Sequence, residues 1–205
     1  MFKSTKGVLP YDGRLAEFGV KWLGDHTAAE AALKDCLQTA TTERAVQSVI
    51  EEHPVLLTRL WRWPRQMGHR SEEAWRRAAD RFHYWPEESL GYEWTLVELA
   101  APSQRMFRQN GDPSQALSHA IRQIMDWRSW LTVDLDYARS SRASNGLGLD
   151  DIGPNSPGLI LLGRRGPEAV TKDRRRQYGR ELNIRIHSID WLFNNGEALN
   201  FHDAG

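Results

Sequence analysis

Two carboxylates define the chemistry within reach of this chain. Asp80 stands just before the aromatic run Phe82-His83-Tyr84-Trp85, and Glu98 lies inside the apolar run Trp94-Thr95-Leu96-Val97-Glu98-Leu99. Side chains alternate along a strand, so residues 98 and 100 share one face. If the two runs pair as a hairpin, Asp80 and Glu98 converge at one end of a sheet. Carboxylates held that close repel unless a hard cation neutralises them, and Mg²⁺ (or Mn²⁺) binds in this way while keeping several waters. Such an ion acidifies a bound water and stabilises the leaving oxygen of a phosphodiester. A glutamate within TLVELA is notable because Glu is seldom buried unpaired. A salt bridge or an exposed sheet edge also accounts for the pair.

The elements that must position these residues follow from pattern. Thr27 caps a helix through about Ala40, rich in Ala28, Ala29, Ala31, Ala32 and Leu33. Thr41 or Thr42 restarts a helix whose Ala45, Val46, Val49 and Ile50 recur at helical spacing, and Pro54 ends it. An apolar segment, Val55 to Leu60, follows. Residues 81–99 suggest a hairpin, its first strand stopped by Pro86. Ser114 caps a helix to about Leu131, and a Ser/Asn/Gly-rich loop separates it from the strand 159–163. That strand has the continuous apolar run of one buried on both faces. A charged helix (168–181), an alternating strand (183–187) and a helix (189–199) close the chain. The order predicts an α/β fold with a mixed sheet.

The 27 basic and 27 acidic residues cancel, and the pI is about 7.1, which disfavours coating nucleic acid through overall charge. A lone Cys36 fits a reducing compartment. No run approaches the roughly 18 apolar residues of a membrane helix, and no signal-like segment opens the chain. The cytoplasm is expected and no membrane contact. The nine Trp residues read first as core packing. Cys36 has no triad-like context, and His53, His69, His83, His187 and His202 lack metal-ligand spacing.

The stretch VELAAPSQRMFRQNGDPSQALSHAIRQIMDWRSWL, together with EEHPVLL and the Asp80 of ADRF, resembles the nuclease core of Shedu-type anti-phage proteins, the SduA C-terminal domain and its stand-alone relatives. The resemblance covers roughly residues 41–195 and is tightest over 94–131. It implies a restriction-endonuclease-like PD-(D/E)xK core at 41–205, with 1–40 as an N-terminal arm and helix, and metal-dependent cleavage of DNA. On that plan Asp80 and Glu98 ligate Mg²⁺ (or Mn²⁺), Glu43 reaches the site from the preceding helix, and Gln123 hydrogen-bonds the water, a phosphate or Glu98. Glu43 as an exposed helix residue and Gln123 as a structural donor remain the plain alternatives. His119, one turn before Gln123, is a secondary candidate.

The sequence departs from the family pattern at Ala100, where the motif places a lysine. Alanine neither activates water nor stabilises transition-state charge. Three accounts are open: deliberate inactivation, natural loss of activity, or a cation supplied from elsewhere, such as Arg105. Two basic stretches are candidates for phosphate contact beside Arg105. One runs from Arg59 to Arg77, interleaved with Trp61, Trp63 and Trp75; the other holds Arg164, Arg165, Lys172, Arg174, Arg175, Arg176 and Arg180. A solvated helix face explains such runs equally.

The expected function is a metal-dependent endodeoxyribonuclease of an anti-phage defence system, disabled or impaired at Ala100. The alternative is a non-cleaving DNA-binding or scaffold protein on the same fold, and a third reading is an oligomerisation module with structural carboxylates. DNA is the expected partner, beside a defence-system protein whose identity the sequence does not give. Homo-oligomers are expected too, with surfaces such as Trp127–Trp130 able to pair.

Overall fold

A computed structural model describes residues 26–58, 66–68, 82–87, 91–166 and 170–193. Three helices come first: α1 (His26–Thr39), α2 (Glu43–Glu52) and α3 (Val55–Thr58). The strands β1 (Gln66–Gly68), β2 (Phe82–Glu87) and β3 (Gly91–Leu99) then form an antiparallel meander. Next come α4 (Gln115–Val133), α5 (Leu135–Arg139), β4 (Gly158–Leu161), α6 (Val170–Leu182) and β5 (Ile184–His187). β4 pairs parallel to β3, and β5 parallel to β4. The result is one five-stranded mixed sheet in the order β1-β2-β3-β4-β5, whose last three strands are parallel. Parallel neighbours need crossover helices, and α4 and α6 supply them.

Alternation along the parallel strands feeds two cores. Trp94, Leu96, Ile160, Ile184 and Ile186 face α4, where Leu117, Ala120, Ile124, Trp127 and Leu131 form one buried stripe. Val97, Leu99, Leu159 and Leu161 face the other way, against Ala29, Leu33 and Leu37 of α1 and Val46 and Ile50 of α2. All four residues of β4 are buried, as a parallel strand covered on both faces requires. Gly158 at its start lets the layers close: a Cβ there would stand 3.0 Å from side-chain carbons of both Ile124 and Ile184.

Polar contacts lock α4 in place. The Ser114 side chain accepts from the Leu117 N–H at 3.1 Å, the expected N-cap. Arg128 donates to Leu182 O at 2.7 Å, to Asn183 O at 3.0 Å and, through Nε and Nη2, to Ser156 O. One guanidinium thus ties α4 to the approach of β4 and to the α6–β5 turn.

Several expectations change in detail. β2 continues through Pro86 to Glu87 instead of stopping there. Among the described residues β1 pairs with β2 as far as Tyr84, short of Pro86. The strand expected at 159–163 ends at Leu161, before the left-handed Gly163 (φ +67°). The strand expected from 183 starts at Ile184, because Asn183 (φ 53°) turns left-handed just after α6. Of the helix expected over 189–199, the described part is a 3-10 turn, Ile189–Leu192. Another 3-10 turn, Arg142–Ser144, interrupts the loop after α5. Trp127 does not offer a pairing surface: it is buried in the α4 core, and the half-buried Trp130 meets Tyr137 edge-on.

Replacing Arg128 by Met keeps its bulk and removes the donors to three carbonyls. We expect a loss of at least about 2 kcal/mol in urea denaturation with the m-value unchanged.

Candidate active site

Glu98 lies in β3 with Ile160 of β4 as its register partner. Leu96 before it and Ala100 after it both pack against the α4-side core, so alternation sets Glu98 on that same face. It is half-buried. The Ala100 N–H donates to Leu161 O at 2.9 Å, which keeps the strand's pleat for one residue beyond β3 and fixes 98 and 100 on a common face. The half-buried Ala100 methyl packs on apolar neighbours.

Gln123 is half-buried on α4, the helix that covers this face, while His119 one turn earlier is exposed. Glu43 is the exposed first residue of α2, which packs on the opposite face. The Ser103 hydroxyl donates to Thr41 O at 2.8 Å, tethering the start of α2 to the loop that leaves β3. Asp80 and the Arg59–Arg77 connection lie outside the described residues, except for the short strand β1. Among the described residues no three His, Cys, Asp or Glu side chains converge on a common point. Glu98 and Asp80 are the carboxylates that could hold a metal, and hard oxygen donors of that kind suit Mg²⁺ or Mn²⁺.

The basic residues separate by role. Arg164, just past β4, binds the buried Asp190 through Nε (3.0 and 3.2 Å) and Nη2 (2.9 Å), and its Nη1 donates to Leu37 O at the end of α1. The Arg165 N–H donates to the same carboxylate at 2.7 Å. On α6, the exposed Arg174 contacts Gln177 at 3.4 Å and Arg176 contacts Asp173 at 4.0 Å, both within the helix. Arg105, Arg165 and Arg175 line, together with Arg164, a cleft of about 690 Å³ with the 187–191 turn.

Sequence reasoning passed over the residues of that turn. The His187 ring stacks on Trp191, with centroids 3.8 Å apart and planes 8° from parallel. Burial, and then the positive charges of Arg185 and Arg175, hold the His187 pKa down at about 3. The imidazole is neutral at physiological pH, and arginines carry the cleft's positive charge. Asp190 and Trp191 gave no signal beyond their place after a predicted strand.

The sign of the acid response follows. Unfolded His187 takes a proton near its ordinary pKa of 6.5, whereas the folded form refuses it until about pH 3. Its contribution is complete above pH 6.5 and is lost as pH falls toward 3, with a slope approaching about 1.4 kcal/mol per pH unit. His187→Phe keeps an aromatic ring for the stack and lacks the proton site. Chemical denaturation at pH 4 and pH 7 should show a smaller difference for this variant than for the parent.

No helix among the described residues is long and apolar enough to cross a membrane. A comparison with curated proteins finds no match. The family described as Shedu protein SduA, C-terminal, matches residues 40–193, which take in Glu43, Glu98, Gln123 and all of the cleft-lining residues. The match spans most of the 205 residues and begins just after α1, and the chain belongs to this Shedu SduA C-terminal family.

Proposed function

We propose that this chain is a metal-dependent endodeoxyribonuclease domain of an anti-phage defence system, built on the PD-(D/E)xK plan and impaired at Ala100. Membership of the Shedu family supports the defence role. The observation that carries the chemistry is the register of the β2–β3 ladder, which sets Phe82 opposite Leu96. Two further residues of the same register would bring Asp80 opposite Glu98, on a shared face. A divalent ion held by these two carboxylates would supply charge neutralisation and an acidified water. Glu98 would then hold the ion at the end of β3, and Gln123, half-buried on the covering helix, would donate toward that face. Arg105, in the loop leaving β3, is the nearest cation in sequence to position 100.

A second reading rests on Ala100 itself. Its methyl packs on the apolar core where the family motif places a cation, which suits a protein that binds DNA without cutting it. Self-association remains part of either proposal.

Both readings are tested by Mg²⁺- or Mn²⁺-dependent cleavage of plasmid and linear DNA. The parent chain should be inactive or slow, Ala100→Lys should cleave, and Glu98→Gln in that background should abolish cleavage. Silence from parent and Ala100→Lys, with metal binding retained, would favour the non-cleaving reading. In calorimetric titration, Glu98→Gln should weaken Mn²⁺ binding by about tenfold or more, ~1.4 kcal/mol. An unchanged affinity would remove Glu98 from the metal site and sink the nuclease proposal.

A further inference from the structure

The cleft outside the carboxyl ends of β3, β4 and β5 is formed by the loop leaving β3, the residues after β4, one side chain of α6 and the turn after β5. In sheets with parallel strands, this end is where ligands bind. Its volume of about 690 Å³ falls within the range of small-molecule sites and far exceeds the needs of one inorganic ion.

The charge of the lining is one-sided. Arg105, Arg165 and Arg175 line the cleft with Arg164, and none of the described lining residues is Asp or Glu. The charge of Arg164 is already matched by Asp190 behind the wall. The same carboxylate fixes the backbone of Arg165, which presents an exposed side chain at the rim. The neutral His187 and its partner Trp191 add an aromatic wall without adding charge. Guanidinium groups grouped in this way match phosphate oxygens in pairs.

We propose that this cleft is a binding site for a phosphate-bearing ligand of nucleotide size, gripped by Arg105, Arg165 and Arg175. Glu98 does not line the cleft, so the inference rests on charge and shape there and not on the metal chemistry proposed above. The phosphate has two sources with shared chemistry: a free nucleotide, or a nucleotide within a nucleic-acid strand.

The experiment is calorimetric titration of the full chain with pyrophosphate and with dAMP, in EDTA so that no metal bridges the ligand. Binding should weaken at least tenfold in Arg165→Gln and in Arg175→Gln. Arg165 is exposed, so its variant should keep the parent's thermal midpoint; Arg105→Gln is a second surface variant that should behave alike. Arg174→Gln, one residue from Arg175 but outside the cleft, should stay within twofold of the parent. Displacement of pyrophosphate by a short single-stranded oligonucleotide would identify the strand as the source, and undisturbed binding would identify the free nucleotide. Absence of millimolar binding would overturn the proposal. Equal losses from Arg174→Gln and Arg175→Gln would also overturn it, because they would reveal a diffuse positive field. Glu98→Gln should leave binding unchanged; its loss there would move the ligand to the carboxylate and end the assignment to the cleft. The nuclease reading stands or falls separately, on metal affinity and cleavage.

Discussion

The carboxylate of Asp190 joins parts of the chain that would otherwise meet only through apolar contact. It accepts from the Arg164 guanidinium and from the Arg165 N–H, and Arg164 reaches on to the last turn of α1. A buried carboxylate without such partners would cost several kcal/mol, so the turn after β5 folds where these donors stand or not at all. The Ile189 N–H adds a bond to Gly163 O at 3.0 Å, holding the same turn against the same loop. The carboxyl ends of β4 and β5 are thereby fixed relative to α1. Arg164 is tied to the fold by this arrangement, while Arg165 is steadied at its backbone and keeps its side chain at the surface.

The sheet divides its work between an antiparallel half and a parallel half. The meander β1–β2–β3 sets the register in which strand residues face one another across a short span of sequence. The parallel half, β3–β4–β5, needs long crossovers, and these bring the ends of three strands to one rim. β3 belongs to both halves. Glu98 sits near where they join, beside Ile160 of β4 and two residues beyond Leu96, which pairs with Phe82 of the hairpin. Its face is roofed by α4, while α1, α2 and α3 fill the opposite face.

Much of this was legible in the sequence because it is local. The Ser114 cap, the apolar stripe of α4, the unbroken apolar run of β4 and the hairpin around residues 81–99 each declare themselves within a few residues. The shared face of Glu98 and Ala100 follows from strand alternation alone. The cleft was not legible, because its residues come from four separated segments that meet only once the parallel strands are aligned. His187 was set aside for lacking ligand spacing, although its role is set by a ring four residues later and by arginines elsewhere. Nor did the run of basic residues on α6 reveal that neighbours differ: Arg175 turns to the cleft, while Arg174 and Arg176 bond along the helix. Pattern marked Trp127 as apolar, but only packing distinguishes a core tryptophan from one that could pair across a surface.

Gly163 carries a mechanical consequence. It is left-handed, and a side chain there would come within 2.3 Å of the Gln104 carbonyl oxygen, so the backbone after β4 rests directly on the loop that leaves β3. With no side chain between them to act as a cushion, the two loops mesh like adjoining gears. A shift at Arg164 or Arg165 must be taken up by Gln104, and from there by the three residues that lead back to Ala100. The rim of arginines and the strand bearing Glu98 are therefore geared together through bare backbone.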